Sequence, residues 1–432
     1  MRPARVAAAM LLALAGLAIL LVVGAWVISR SDWSAAQAAT RASAALGQPV
    51  RLAGLAVGLW PSPSVEIEGL EVGAAGPAGP LLTLERGTLG MRWSELGRAP
   101  MVLRSLRLVG VTLRPRIEAD GRDNYTALVE RVIELAGTGP AAFEVGELAI
   151  EGGRVEYADL RRDANVVIGG LSLEASGVRP AHAFPLKLRL AGEAAEHVFH
   201  AAIEADATLD PDRGRYGFAA ATLRGWIGGG DFGMGGADLI GGMDRLDLDF
   251  AEQTARLEGL DFEALGLSGR ARAEVTALLD APVVDFAIET GPFVPRAVMN
   301  SIARALPATT DPEALGSAEL AVQGRLGPGG LALDRIAGRL DDTSLSGSLA
   351  LPPYPAAARL ALSLDVVDLD RYLPPGPAEP ASPGEALGAL LGALGGIDLE
   401  AVVEVERASF GGAVAHGVRV VVEPDLDGAN PP

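Results

Sequence analysis

Val65-Glu-Ile-Glu-Gly-Leu-Glu-Val72 carries apolar residues at 65 and 67 and again at 70 and 72, so its alternation slips by one residue at Glu68-Gly69. Period-two alternation marks a half-buried β-strand, because successive side chains point to opposite faces. With Glu68-Gly69 as a tight hairpin loop, Ile67 faces Leu70 and Val65 faces Val72 on one side of the sheet. A bulge within one continuous strand produces the same slip, and both readings stand at this point. Ala255-Arg-Leu-Glu-Gly-Leu-Asp-Phe262 repeats the pattern. It places Leu257, Leu260 and Phe262 on one face, and a hairpin there would set Arg256 opposite Asp261 as a favourable cross-strand pair. Leu106-Arg-Leu-Val-Gly-Val-Thr-Leu113 is a third copy, and residues 148–157 form a looser one around Gly152-Gly153. Glycine supplies the positive φ such slips need. The chain therefore reads as mainly β, built from repeated antiparallel units.

Further along, Ile397-Asp-Leu-Glu-Ala-Val-Val-Glu-Val-Glu406 puts Ile397, Leu399, Ala401, Val403 and Val405 on one face of a strand, with mostly acidic residues between them. Breaks divide the β segments. Residues 73–80 (GAAGPAGP) read as a loop, and residues 296–306 read as a short helix between Pro295 and Pro307. Residues 374–384 (PPGPAEPASPG) read as a linker followed by a weak helix over 386–396. The expected organisation is a first β region over 48–290, a short helical insertion over 291–312 and a second β region over 313–375. A Pro/Gly/Ala-rich linker over 376–396, C-terminal strands over 397–424 and a disordered tail over 425–432 complete it.

The N-terminus differs in kind. Residues 6–28 (VAAAMLLALAGLAILLVVGAWVI) contain no charge, and a helix of that length reaches roughly 34 Å, enough for a hydrocarbon core. Arg2 and Arg5 precede it, whereas Asp32 follows Arg30 closely. The positive-inside rule then keeps residues 1–5 in the cytoplasm and exports everything beyond a transmembrane helix at 6–28. Trp26 and Trp33 straddle its exit side. Residues 29–47, Ala-rich from Ser34 to Leu46 and ended by Gly47, extend it as a juxtamembrane helix. The competing reading is a cleaved signal peptide with Ala36-Gln37-Ala38 as the cleavage site, although such peptides have apolar regions of only about 7–15 residues.

The 432 residues include no cysteine, which excludes disulfides and thiolate metal sites. A net charge of −19 argues against binding nucleic acid or anionic headgroups over any broad surface. Apolar residues make up 49% of the chain but aromatics only 5%, so any apolar surface must be lined mainly by aliphatic side chains and alanine.

Several stretches resemble the AsmA family of envelope proteins. One runs from Gly47 to Gly73 (GQPVRLAGLAVGLWPSPSVEIEGLEVG), with Trp60-Pro61 where the family has an aromatic-Pro turn. It continues through PLLTLERGTLGMRWSELGRAP to Gly121-Arg-Asp-Asn-Tyr125, where Tyr125 stands in place of the usual Trp. A second comprises Gly291-Pro-Phe-Val-Pro-Arg296 through Leu306-Pro307, then LDDTSLSGSLAL (340–351) and the more specific VDLDRYLPP (367–375). The family continues well past that last motif, so the chain reads as a short member or one lacking a C-terminal section. The resemblance implies an inner-membrane anchor, N-terminus cytoplasmic and the bulk periplasmic. It further implies an elongated antiparallel β-sheet bent into an apolar groove that carries phospholipid acyl chains in outer-membrane biogenesis. Val65, Ile67, Leu70, Val72, Leu257, Leu260 and Phe262 are the expected groove residues. Partners would then be the inner membrane, phospholipid and outer-membrane assembly or lipid-transfer proteins. Periodicity alone equally fits a closed β-domain with an ordinary core, and the alternative function is a scaffold for outer-membrane protein assembly that carries no lipid.

Catalytic and cofactor chemistry find little support. His197 and His200 lie three apart, which in a strand sends them to opposite faces, and His182 and His416 are isolated. Residues 228–236 (GGGDFGMGG) formally contain a G-x-G-x-x-G, but neither a following helix nor a Lys-Ser/Thr pair accompanies it. Asp247 with Asp249, and Asp368 with Asp370, alternate with apolar residues and read as wet strand faces rather than acid/base pairs or calcium ligands. No G-x-S-x-G is present. The expectation is a protein with no enzymatic activity, no metal and no cofactor.

Overall fold

A computed structural model describes residues 35–422 except 75–78, 96–100, 129–130, 132–142, 162–163, 195, 231–235, 279–280, 302–308, 354–356 and 373–398. The span expected at 6–28, the linker at 376–396 and the tail at 425–432 lie outside the described residues. Among those described, no helix is long and apolar enough to cross a membrane. The fold is mainly β, an open sheet with a few short helices. It divides into two compact units, one of residues up to Gly230 with Asp247–Ala251, the other of Asp231–Leu246 and the residues from Glu252 onward.

The first unit begins with helix α1 (Ala35–Leu46), followed by β1 (Val50–Gly58), β2 (Ser64–Val72), β3 (Leu82–Met91), β4 (Met101–Leu113) and the two-residue β5 (Arg116–Ile117). Next come β6 (Phe143–Asp159), β7 (Ala164–Val178), β8 (Ala183–Ala194), β9 (His197–Asp210) and β10 (Arg215–Gly229); β11 (Ala237–Asp249) is shared between the units. Sequential strands pair antiparallel, but β4 pairs parallel with β6, as does β5. A parallel neighbour demands a crossover connection, which period-two reasoning does not detect.

All eight residues of the Val65–Val72 repeat lie in β2, so the hairpin reading gives way to its alternative, an irregularity inside one strand. Gly69 has φ +58°. The β2 ladder skips this residue on both sides: Leu52↔Leu70 and Gly54↔Glu68 flank it toward β1, Glu68↔Arg86 and Leu70↔Leu84 toward β3. The same skipped rung continues into β4 at Gly110, φ +68°. Ala53, Gly69, Glu85 and Gly110 thus form one row in which the face pattern of four adjacent strands reverses together. Glycine is required because a Cβ on Gly69 would stand 2.7 Å from the Ala53 methyl, and one on Gly110 would overlap the Glu85 side chain.

The reversal keeps apolar side chains on one face along the strand's whole length. Val50, Val72, Leu82 and Leu113 form one buried row, and Val65, Leu89 and Leu106 another, all 7% exposed or less. Leu46 from α1 and Leu128 join them in a single cluster. The Gly-x-x-Asn-aromatic stretch seals its edge. The Asn124 side chain accepts from the Arg116 backbone N–H (2.8 Å) and donates to the Arg114 carbonyl (2.9 Å), while Tyr125 packs on the cluster.

The second unit contains β12 (Thr254–Ala264), β13 (Leu267–Thr276), β14 (Val283–Thr290), α2 (Pro295–Ser301), β15 (Ala318–Gly327), β16 (Gly330–Leu340), β17 (Thr343–Leu351), β18 (Ala358–Asp368), α3 (Leu369–Tyr372), β19 (Leu399–Phe410) and β20 (Ala413–Val422). Helix α2 includes Pro295, one residue before the expected start at Arg296, and residues 302–306 of the expected helix lie outside the described residues. Neighbours pair antiparallel in chain order except β18 and β19, which are parallel. The VDLDRYLPP stretch turns out to be a lock. Asp370 lies in α3, not on a strand face with Asp368, and its carboxylate accepts from the Gly411 N–H at 2.9 Å. Leu369 is buried, and Arg371 donates to Asp311 (2.7 Å) and Asp342 (3.1 Å). The Tyr372 hydroxyl donates to Asp341 at 2.8 Å.

Asp341 is the hub of this lock, for it also accepts from the backbone N–H groups of Leu315, Gly316 and Ser317. Burial pushes its carboxyl up, but the Tyr372 hydroxyl and those three N–H groups outweigh burial and hold it below the ordinary aspartate value. A folded-state pKa below the unfolded one contributes stability that is present above the ordinary value and lost as pH falls through the lowered one. Asp341→Ala should therefore cost about 1–3 kcal/mol at neutral pH. The gap in melting temperature from wild type should narrow as pH falls below about 4. An unchanged gap between pH 7 and pH 3 would show that the carboxylate charge contributes nothing.

Candidate functional site

The sequence-predicted groove residues divide into two environments. Val65, Ile67, Leu70 and Val72 are each 5% exposed or less and belong to the closed cluster of the first unit. Leu257, Leu260 and Phe262 are half-buried on β12 in the second unit. The first four are core; the last three lie on a surface.

That surface is built strand by strand. Gly259, φ +59°, interrupts β12 where the ladder to β13 shifts between Leu257 and Leu260. Ala255, Leu257, Leu260 and Phe262 consequently share one face, while Arg256, Glu258, Asp261 and Glu263 are exposed on the other. β13 alternates without interruption: Leu267, Gly269, Ala271, Ala273 and Val275 are half-buried, and Ser268, Arg270, Arg272 and Glu274 are exposed. The register carries the apolar face across the unit. One row runs Leu260, Ala271, Ile288, Val322, Ile336, Gly347 and Leu362. Its neighbour runs Leu257, Ala273, Phe286, Gly324, Leu333, Leu349 and Leu360. The register shift between Leu333 and Ile336 in β16 keeps both rows in phase, as Gly259 does in β12.

Small residues stand among the large ones in these rows. Phe286 lies between Ala273 and Gly324, and the Phe262 ring reaches over Gly269, where a Cβ would meet it at 2.6 Å. An open depression of ≈ 550 Å³ at this end of the unit is lined by Asp261, Glu263, Ser268, Arg270 and Glu289 as well as by Phe262, Gly269 and Ile240, so it is mostly polar and is not a part of the apolar rows. Most of the face is half-buried rather than sealed, and among the described residues none on β12–β17 belongs to a buried hydrophobic cluster, whereas Leu362 on β18 packs against the cluster of Val367, Leu369, Val403, Val405 and Ala408. Antiparallel sheets tolerate one apolar and one wet face, and here the apolar face is only partly covered.

The opposite face is charged and paired. Arg256 bonds Glu274 at 2.9 Å, so its partner is on β13 rather than Asp261, which instead pairs with Arg270 at 2.8 Å. Arg325 bonds Asp285 at 2.7 Å. Its hydrogen bond to the Arg270 guanidinium lowers the Asp261 carboxyl below its usual value. Such exposed pairs stabilise little; they make this face water-loving and thereby fix which face is apolar.

Other constellations dissolve in the structure. His197 and His200 occupy β9 three residues apart, and His200 stacks on Trp226 with ring centroids 5.7 Å apart. Among the described residues no group of His, Cys, Asp or Glu could hold a metal ion. Asp249 pairs with Arg215 at 2.8 Å. Sequence reasoning missed Ile288, Val322, Ile336 and Leu349, whose common face depends on cross-strand register; alternation in β13 was a usable signal, muted by its alanines and glycine. Compared with models of known protein families and with characterised proteins, the chain matches none.

Proposed function

We propose that this chain is an inner-membrane-anchored periplasmic protein that holds phospholipid acyl chains on the apolar face of β12–β18, serving lipid transport and outer-membrane biogenesis. The observation that carries the reading is the pair of apolar rows, half-buried across β12–β17 and joining no buried cluster there among the described residues. Water gains nothing from such a surface, and an acyl chain laid on it gains about 0.8 kcal/mol for each methylene fully buried. Seven strands spaced about 4.8 Å apart make the face roughly 30 Å across, against ~15 Å of hydrocarbon in one leaflet. It accommodates acyl chains with their headgroups left in water. The charge-free run at 6–28 supports the anchor, and the resemblance to the AsmA family supports the lipid as cargo.

A photo-crosslinking residue placed in the full-length chain in membranes tests this. At Ala271, on the apolar face, it should form phospholipid adducts; at Arg272, one residue on and on the charged face, it should form several-fold fewer. Equal yields would overturn the open-face reading. A folded protein with no adducts at either position would favour the scaffold function.

A further inference from the structure

The β1–β2 turn of the first unit concentrates exposed apolar surface where a soluble protein has no use for it. Trp60 is 88% exposed, Leu59 60%, Val57 54% and Trp93 53%. They gather at one place: the Trp93 indole N–H donates to the Pro61 carbonyl at 3.3 Å, and the Pro63 carbonyl accepts from the Met91 N–H at 2.8 Å, tying the end of β3 to the turn. We propose that this tip seats in the interfacial region of the bilayer that holds the N-terminal apolar segment.

Two features on either side of the tip select a bilayer as its occupant. The first is side-chain type. Indoles have an apolar body and a polar N–H, and they are enriched where hydrocarbon meets water. The second is placement. Gly47, φ +64°, reverses the chain after α1, and the Ser43 hydroxyl accepts from the Val50 N–H at 2.8 Å, so β1 starts against the last turn of the helix. Helix α1 packs on β1. Its first residue, Ala35, is therefore directed toward the strand's far end, where the tip lies; the helix rises about 18 Å and the strand about 30 Å. Residues 29–34, which link Ala35 to the uncharged run ending at Ile28, span at most about 20 Å. A chain anchored by 6–28 keeps the tip within reach of the same membrane surface. The inference rests on the anchor in the proposed function and not on the lipid-carrying face.

The chain has no cysteine, so one introduced cysteine is a unique labelling site. Leu59→Cys and Leu160→Cys, the latter 42% exposed after β6 at the end of the same sheet opposite the tip, are labelled with an environment-sensitive fluorophore. Each full-length protein is reconstituted into phosphatidylethanolamine–phosphatidylglycerol vesicles. Lipids carrying a nitroxide just below the headgroup should quench the label at 59 several-fold more than the label at 160. Equal quenching at the two sites overturns the inference. Failure of the full chain to float with the vesicles overturns it too, by removing the anchor, and leaves the adducts at Ala271 to be judged separately. Matching melting temperatures of the two variants guard against misfolding, since both sites are open to solvent.

Discussion

Leu70→Asp should unfold the first unit, whereas Leu260→Asp should leave the second folded and strip its apolar face of lipid. Leu70 is 3% exposed and stands between Leu52 and Leu84 in the buried ladder. Replacing it removes about 2–3 kcal/mol of burial and leaves a carboxylate among hydrocarbon without a partner, a combined cost of about 4 kcal/mol or more. Leu260 is half-buried, and an aspartate there reaches water, so about 1–2 kcal/mol is the expected loss. Thermal melting of both variants reads the stability difference. Photo-adducts from Ala271, directly opposite Leu260 in the register, read lipid in the Leu260→Asp background and should fall several-fold. Equal destabilisation by the two substitutions would mean that the second unit's face is a closed core, and the groove reading would fail.

Gly69→Val and Gly259→Val should each be comparably severe, by a different route. Both glycines have φ near +60°, where a β-branched residue is strained by about 1–3 kcal/mol before any contact is considered. A Cβ at 69 would press on the Ala53 methyl and one at 259 would overlap the Asp244 carboxylate. Each change also threatens the phase reversal. Without it, Leu70 and Val72 or Leu260 and Phe262 would turn to the charged face. Gly329→Val, at an ordinary φ with open space around it, is the control and should shift stability by about 0.5 kcal/mol or less. Melting curves that do not separate the first two variants from the control would refute the role assigned to the reversals.

The apolar face of the glycine-slip strands was legible in the sequence, and the nature of the slip was not. Val65, Ile67, Leu70 and Val72 share a side whether Gly69 closes a hairpin or kinks a strand, because both restore the same parity. Choosing between them requires knowing what pairs with β2 on each side. That is β1 and β3, skipped at the same rung, which no local pattern reports. The Arg256–Asp261 pair failed for the same reason: once the strand runs straight through Gly259, Arg256 meets Glu274 and Asp261 meets Arg270. The aspartates at 368 and 370 looked like one wet face, but the strand ends at Asp368 and Asp370 caps Gly411 from a helical turn.

Local chemistry by itself determined the class of the chain. Period-two alternation and glycine at the phase slips dictated strands and their apolar face, the alanine-rich run ending at Gly47 dictated α1, and the lack of cysteine excluded disulfides and thiolate metal sites. These follow from backbone sterics and from the transfer of side chains out of water, which act over a few residues. Tertiary structure alone decided which apolar residues are sealed and which stay open. Val65 and Leu260 carry the same local signature, yet Val65 lies in a cluster joined by Leu46 and Leu128, and Leu260 is half-buried and belongs to no buried cluster among the described residues. Burial depends on what packs across a face, and that is set by pairings between residues far apart in the chain.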